Sequence, residues 1–424
     1  MKEYRKRIAD EILKKRLESK GAVLVEGAKW CGKTTTSLQH AKSVLYMQNP
    51  ATVKQNLEMA EINPIGLLSG EAPRLIDEWQ LAPKLWDAVR FEVDQRDEFG
   101  QFILTGSAVP ADMSSTSHTG IGRIARLTMR PMSLFESGES NGNVSLKELF
   151  QGNVSIQGAT STSLEEIAFW ICRGGWPKSL DYNREVALQQ AIDYFDGVIQ
   201  TDISRVDGTN REPERAARLL RSCARHIGSQ VKLPTLIEDM RANEAESITI
   251  PTMDSYMKAL KKIFVLEDTP AWNPNLRSKA AIRTSETRYF VDPSIAAAAL
   301  GIGPEDLIAD LETMGLFFEN LCIRDLRIYA EFSEGKVYHY RDKNGLECDA
   351  VIHLRNGKYG LIEIKLGGDK LIEEGAKTLK KLEQNIDITK MKLPSFKMIL
   401  IAKGEYAYQR KDGILIVPVN CLKP

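Results

Sequence analysis

The sequence predicts an α/β protein. It opens on a parallel sheet with crossover helices, continues through a helical module and closes on a second sheet. Three patterns predict this. Short apolar runs alternate with helical stretches from residue 22 to about 131, helical patterns fill 212–266, and a period-two pattern with Asn-Gly punctuation begins near Lys336. At about 150 residues per domain, 424 residues give two to three domains. A hydrophobic content of 43% supports real cores and excludes a mainly disordered chain.

In order, residues 1–20 read as a charged N-terminal helix. Strands are expected at 22–25, 44–46, 74–76, 102–104 and 124–128, so the first domain spans 21–135. Residues 136–160 are rich in Gly, Ser and Asn and read as a loop or a poorly packed segment, and 163–205 as helices broken at Gly174-Gly175-Trp176-Pro177. Together 136–210 would form a helical linker or lid. Pro213, Pro234 and Pro251 mark three helix starts within a module at 211–290, whose stretch 267–290 is loop-rich. The last domain, 291–424, contains a three-stranded meander at 336–366.

Lys+Arg and Asp+Glu both number 57, so global charge does not drive binding to a polyanion, although a local basic face is compatible. No window approaches the roughly 18 consecutive apolar residues of a membrane span. The charged start lacks the apolar stretch of a secretory signal. The six cysteines are scattered and form no C-x-x-C, which points to a reducing, cytoplasmic compartment without disulfides or zinc.

Gly27-Ala28-Lys29-Trp30-Cys31-Gly32-Lys33-Thr34 satisfies G-x-x-x-x-G-K-[ST] between an expected strand and an expected helix at 34–43. Such a loop, with Thr35 just beyond it, turns backbone N–H groups toward phosphates. Lys33 would reach the β- and γ-phosphates of ATP, and the Thr34 hydroxyl would bind Mg²⁺. A second strand ends in Asp77-Glu78. Asp77 would hold the hydrated metal and Glu78 would polarise the attacking water; the alternative is a solvated turn. Thr105 and Ser107 follow the next strand, where they would sense the γ-phosphate or simply form its exit. Arg123 or Arg126 would stabilise transition-state charge in its own subunit or a neighbour's, or else lie on the surface.

The ordered set GAKWCGKT, LIDEWQ, ILTGSA and GRIARLTMRPMSLFE resembles the N-terminal half of a large prokaryotic family of AAA-type P-loop ATPases with a C-terminal domain of unknown function. GGWP, DYFDGVIQTDISR, TRYFVDPS and GLFFEN resemble its later segments. The resemblance implies an ATPase core of strand order 5-1-4-3-2, then a winged-helix-like module, then a restriction-endonuclease-like α/β domain. The third motif departs from it, offering Thr and Ser where AAA sensors carry Asn.

In the middle module, helices near 214–227, 234–243 and 252–265 suit a winged helix, with Arg277, Lys279, Arg283 and Arg288 on the wing. They suit a three-helix packing module with a solvated basic loop equally well. The third helix carries little basic charge on its first turns, which argues against a sequence-specific DNA reader.

In the meander, Asp349, Glu363 and Lys365 have the spacing D-x₁₃-E-x-K, which resembles the PD-(D/E)XK nuclease signature. That chemistry is metal-assisted phosphodiester hydrolysis, with Lys365 activating the water. A two-residue turn would put Asp349 and Glu363 on opposite faces. A three-residue turn, Arg355-Asn356-Gly357, puts them on one face and gathers Ala350, Ile352, Leu354, Ile362, Ile364 and Leu366 on the other. The sequence favours the second register, because the first would bury charges unpaired. Glu347 shares the acidic face, and Glu319 on the preceding helix would complete a metal set with Asp349 and Glu363. The alternative is a cross-strand charge cluster on a solvated face.

The expected activity is Mg²⁺-dependent ATP hydrolysis coupled to a C-terminal nucleic-acid-directed module that cleaves DNA. The alternative is a nucleotide-dependent switch that binds DNA or a protein partner, with an inert C-terminal domain. A homo-oligomer would be required for an arginine acting in trans.

Overall fold

The computed structural model describes residues 4–107, 120–241, 249–274 and 285–424. The chain divides into two compact units. The first gathers Met1–Pro131, Gly197–Pro213 and Ser255–Val265; the second gathers Met132–Asp196, Glu214–Asp254 and Leu266–Pro424.

The first unit is a parallel sheet flanked by helices. Its elements are α1 (Ile8–Leu17), β1 (Ala22–Glu26), α2 (Lys33–Leu38), β2 (Ser43–Tyr46), α3 (Val53–Ile62), β3 (Arg74–Asp77), α4 (Lys84–Arg96), β4 (Phe102–Gly106) and β5 (Ile124–Thr128). The strand order β2-β3-β4-β1-β5 is the one the resemblance implied. The central strands β1 and β4 are apolar along nearly their whole length because both faces are covered. Alternation assigns their side chains. Ala22, Leu24, Ile76, Phe102 and Leu104 pack with Trp79, Trp86 and Val89 on one face. Val23, Val25, Leu75, Ile103 and Leu127 pack with Leu13 and Leu17 of α1 on the other. The helix expected at 34–43 ends at Leu38. A turn through Ala41 follows, and the Lys42 N–H then bonds the Pro73 carbonyl at 2.9 Å at the entrance to β2.

The second unit is built on a seven-stranded sheet. Its order is Gly335–Arg341, Glu347–Leu354, Tyr359–Lys365, Phe396–Ile401, Leu415–Pro418, Tyr406–Gln409 and Gly158–Ala159. The first three strands form the expected antiparallel meander; the next two join it in parallel. The long helix Leu311–Phe332 is buried along most of its length. Asn320 on that helix pairs with both the N–H and the carbonyl of Phe290, at 3.0 and 2.9 Å, and so satisfies backbone groups of the strand Thr287–Phe290.

Two sequence-based boundaries are corrected. Residues 136–160 are neither a loop nor part of a separate lid: Gly158–Ala159 extends the large sheet, and Val144–Ser145 pairs with the C-terminal strand Leu422–Lys423. Their Gly, Ser and Asn content reflects turns between short elements. Nor is 211–290 one body, since 211–213 and 255–265 pack in the first unit and the other described residues of that stretch in the second. Among the described residues no helix is long and apolar enough to cross a membrane.

Candidate functional site

The phosphate-type loop follows β1 directly. At Gly27, φ is +150°, and a Cβ there would collide with the Met129 carbonyl, so glycine is required. Lys33 is 6% exposed, and its ammonium is held by the carbonyls of Gly27 at 2.9 Å and Ala28 at 2.8 Å. The lysine is thus drawn over its own loop, within reach of any phosphate the loop cradles. Trp30 projects outward at positive φ, whereas Cys31 is buried.

The loop and the acid pair meet as expected. Asp77, at the end of β3, is buried; one of its carboxylate oxygens accepts from Thr34 Oγ1 at 2.7 Å and from Thr105 Oγ1 at 2.6 Å. A hydroxyl and a carboxylate in contact form an oxygen donor set that suits Mg²⁺, so Thr34 and Asp77 are the residues that would hold it. Glu78 sits at φ +57°, an uncommon conformation for a non-glycine residue and one that clusters at functional sites. Its carboxylate accepts from Gln80 and, at 3.3 Å, from Ser107. Thr105 and Ser107 therefore contact the acid pair. Replacing Thr105 by valine removes a donor from the buried Asp77. The expected loss is about 1–2 kcal/mol of unfolding free energy, read by urea titration of the first unit.

Sequence reasoning missed the residues that brace this loop. Arg7, buried, donates to the Cys31 carbonyl at 2.7 Å and the Arg130 carbonyl at 2.8 Å. The Tyr4 hydroxyl bonds Asp10 at 2.7 Å and Thr36 at 3.0 Å, and Asp10 also meets His40 at 2.8 Å. Burial pushes the Tyr4 phenol above its ordinary range. Nothing in a charged N-terminal run distinguishes these residues from solvated ones.

Arg123 is a correction. It precedes β5, whose Ile124 lies opposite Ala22, whereas the loop follows Glu26 at the other end of β1. Five residues at about 3.3 Å each put roughly 15 Å between them. Its guanidinium bonds Asp94 at 2.7 Å, so Arg123 does not serve the loop of its own chain. Arg126 pairs with Glu26 at 3.1 Å and lies over the Trp86 ring.

The second cluster lies in the meander. The ladder pairs Ala350 with Ile362 and His353 with Tyr359, which is the register of the three-residue turn, and Gly357 has φ +83°. Beyond Ala350 the Asp349 carboxylate accepts from the Ile364 N–H at 2.7 Å and from Lys365 at 3.2 Å. Lys365 also pairs with Glu363 at 2.8 Å. The face expected to be polar is covered, since Val351 and Leu361 pack with Ile372, Ala376 and Leu379 of the helix Asp369–Gln384. Glu363 is consequently 3% exposed, and its Oε1 is buried without a hydrogen-bond partner. Glu319 bonds the Tyr289 hydroxyl. Glu347 instead pairs with Arg341 at 2.9 Å on the exposed edge. Among the described residues, no three His, Cys, Asp or Glu side chains are grouped so as to hold a metal. Glu319, Asp349 and Glu363 are thus neighbours but do not form the closed ligand set expected.

Burial, reinforced by the nearby Asp349, pushes both Glu319 and Glu363 up to about 8. The folded chain therefore keeps protons on this pair at pH values where the unfolded chain, whose glutamates release theirs at about pH 4.3, has lost them. Stability accordingly falls as pH rises from roughly 5 through 8. Urea denaturation of the full chain at about pH 5, 6.5 and 8 reads the trend, and stability that rises over this range would contradict it.

Of the basic residues assigned to a wing, Arg277, Lys279 and Arg283 lie outside the described residues. Arg288 is inside the strand Thr287–Phe290, largely buried and 3.8 Å from Asp268. Its burial leaves its guanidinium little surface from which to contact a phosphate.

The first unit's parallel sheet and glycine-containing loop have the form of a P-loop nucleotide-binding fold, and residues 19–137 match the family described as AAA domain. Residues 164–306 match a domain of unknown function (DUF8612), and 314–422 match another (DUF4143). The expected pairing of an AAA-type core with a C-terminal domain of unknown function is thus present. The chain is similar to the uncharacterized protein Rv2008c of Mycobacterium tuberculosis, at 22% identity over 98% of this chain and 84% of that one. The uncharacterized protein Mb2031c of Mycobacterium bovis matches at the same 22%, over 98% of this chain and 84% of its own. Among solved structures, the Walker-type ATPase PABY2304 of Pyrococcus abyssi aligns with TM-score 0.42 at 14% identity, covering 68% of this chain and 94% of that one. The Hef helicase domain of Pyrococcus furiosus aligns with TM-score 0.20 at 11% identity, covering 97% of this chain and 85% of that one.

Proposed function

We propose that the chain binds and hydrolyses Mg-ATP in the cradle at 27–34 and uses the nucleotide state to govern its C-terminal unit. The observation that carries this is the contact between Thr34 and Asp77, which joins the loop to the strand-end carboxylate. Bound Mg²⁺ would neutralise phosphate charge. Around it, Lys33 binds the β- and γ-phosphates, backbone N–H groups of 27–35 orient them, and Glu78 accepts a proton from water. Gln80 and Ser107 hold the Glu78 carboxylate in place. Phosphate release from Mg-ATP by the purified full chain tests the assignment; no release above a boiled control would overturn it.

For the C-terminal unit, the buried, unpartnered Glu363 Oε1 beside Asp349 and Lys365 supports a cation-dependent, nuclease-like cluster directed at nucleic acid. The three helices Pro213–Arg225, Leu233–Arg241 and Ile250–Lys262, followed by the antiparallel pair Leu266–Thr269 and Thr287–Phe290, are compatible with a winged-helix-like arrangement for docking DNA. The second reading, a nucleotide-dependent binding switch for DNA or a protein partner, is favoured by Lys365, whose ammonium already bridges Asp349 and Glu363. Incubating single- and double-stranded DNA with and without Mg²⁺ and ATP, using wild type and Lys365→Ala, separates them. Cleavage lost in the variant supports the nuclease; ATP-responsive binding without cleavage supports the switch.

A further inference from the structure

We propose that Asp202 is a positioning residue for the phosphate loop, and that bound nucleotide breaks its contact with Lys29 and so releases the segment Gly197–Pro213. This rests on the cradle at 27–34 being a nucleotide site. Lys29 lies within that loop, yet its ammonium bonds Asp202 Oδ1 at 2.5 Å rather than any group of the loop itself. Asp202 is far along the chain, and its side chain is only 14% exposed, against 43% for Lys29.

Two further observations show that the contact is built. Asp202 ends a π-helical turn, Val198–Asp202, that follows the helix Arg184–Gly197. Such turns are rare, concentrate at functional sites, and present side chains on a different side from an uninterrupted α-helix. The rest of the segment is braced as one piece. Buried Arg211 grips Asp207 through two bonds of 2.7 and 2.8 Å, the Ile203 carbonyl at 2.9 Å and Ser255 Oγ at 2.9 Å. The Glu212 N–H donates to the Tyr256 hydroxyl at 2.9 Å. A displacement of Asp202 is therefore passed along the segment as far as Arg211 and Glu212, whose bonds to Ser255 and Tyr256 anchor its far end.

The direction follows from charge. A triphosphate in the loop brings several negative charges within reach of Lys29, where Asp202 offers one. Coulomb attraction scales with the product of charges, so Lys29 turns to the phosphates. The same charges repel the Asp202 carboxylate. Both terms act against the contact, and neither requires the backbone of the loop to move.

The test is amide hydrogen exchange of the full chain with and without Mg-ATPγS, with nucleotide binding measured calorimetrically on the same samples. In wild type, bound ATPγS is expected to speed exchange across 197–213 by about threefold or more. In Asp202→Asn the segment should exchange fast without nucleotide and gain nothing from it. That variant should also bind ATPγS several-fold more tightly, because Lys29 is no longer held elsewhere. Slowed or unchanged exchange across 197–213 in nucleotide-bound wild type would overturn the proposal and leave the nucleotide site standing. Absence of ATPγS binding to wild type would overturn both.

Discussion

Lys33→Ala is expected to lower the rate of ATP hydrolysis by about 10²–10³-fold, the scale on which a single preorganised charge-stabilising group acts. In the structure the ammonium is already desolvated and fixed by two loop carbonyls, so little reorganisation is needed when phosphate oxygens replace them. A bound phosphate accepts a charge-assisted bond stronger than a peptide carbonyl does. Alanine removes that charge from both the ground state and the transition state, so nucleotide affinity should fall together with turnover. Glu78→Gln provides the contrast. It keeps the shape and the contacts with Gln80 and Ser107 but withdraws the proton acceptor, so ATP binding should persist while hydrolysis drops by a similar factor. Phosphate release and calorimetric binding on the two variants check this pair. Turnover within threefold of wild type in Lys33→Ala would remove the cradle from the mechanism.

Arg324→Met is expected to destabilise the second unit by about 3–5 kcal/mol, the usual consequence of stranding a buried charge. Arg324 is 2% exposed and bonds Asp292 at 2.8 Å and Asp325 at 2.8–2.9 Å. The two carboxylates are occupied further. Asp292 accepts from the Gly175 N–H at 2.9 Å and caps the helix Pro293–Leu300 through Ser294, and Asp325 accepts from the Leu134 N–H at 2.9 Å. One guanidinium thus offsets two acids that tie three distant stretches together. Even with it present, burial pushes the Asp325 carboxyl up to about 6. Methionine fills comparable volume, so the loss measures charge rather than a cavity. Chemical denaturation followed by a probe in the second unit, such as Trp176, reads the change. A shift under about 1 kcal/mol would mean that the two acids are satisfied without the arginine.

This network explains a motif that local patterns could only flag. Gly174-Gly175-Trp176-Pro177 reads in the sequence as a helix break. In the fold, Gly174 has φ +73°, and a Cβ on it would collide with Ser294 and Asp292; one on Gly175 would collide with the Met132 carbonyl. Trp176 Nε1 bonds Ser294 Oγ at 3.0 Å. The glycines are set by what approaches them from distant parts of the chain, and a local pattern carries no trace of that.

Much else was legible. Short apolar runs marked the strands of the first sheet, and the clearest were the central β1 and β4, which are covered on both faces. The phosphate-type loop was legible because its backbone demands glycines at fixed spacing. The meander's register followed from alternation, since a one-residue slip would exchange its faces. Even there the reasoning was only partly right. Glu363 is buried after all, with the Lys365 ammonium 2.8 Å from its carboxyl group.

The chain's own order of residues therefore settles which segments are strands, where phosphate can be cradled and which meander side chains share a face. Each of these follows from periodicity or backbone geometry over a few neighbouring positions. Three-dimensional packing alone brings Arg7 onto the loop, aims Asp202 at Lys29, draws 136–160 into the large sheet and sets Arg123 at the far edge from the cradle. These pairings join residues that are distant in sequence. Their energy comes from desolvation and charge at the contact, which exist only once the segments have met.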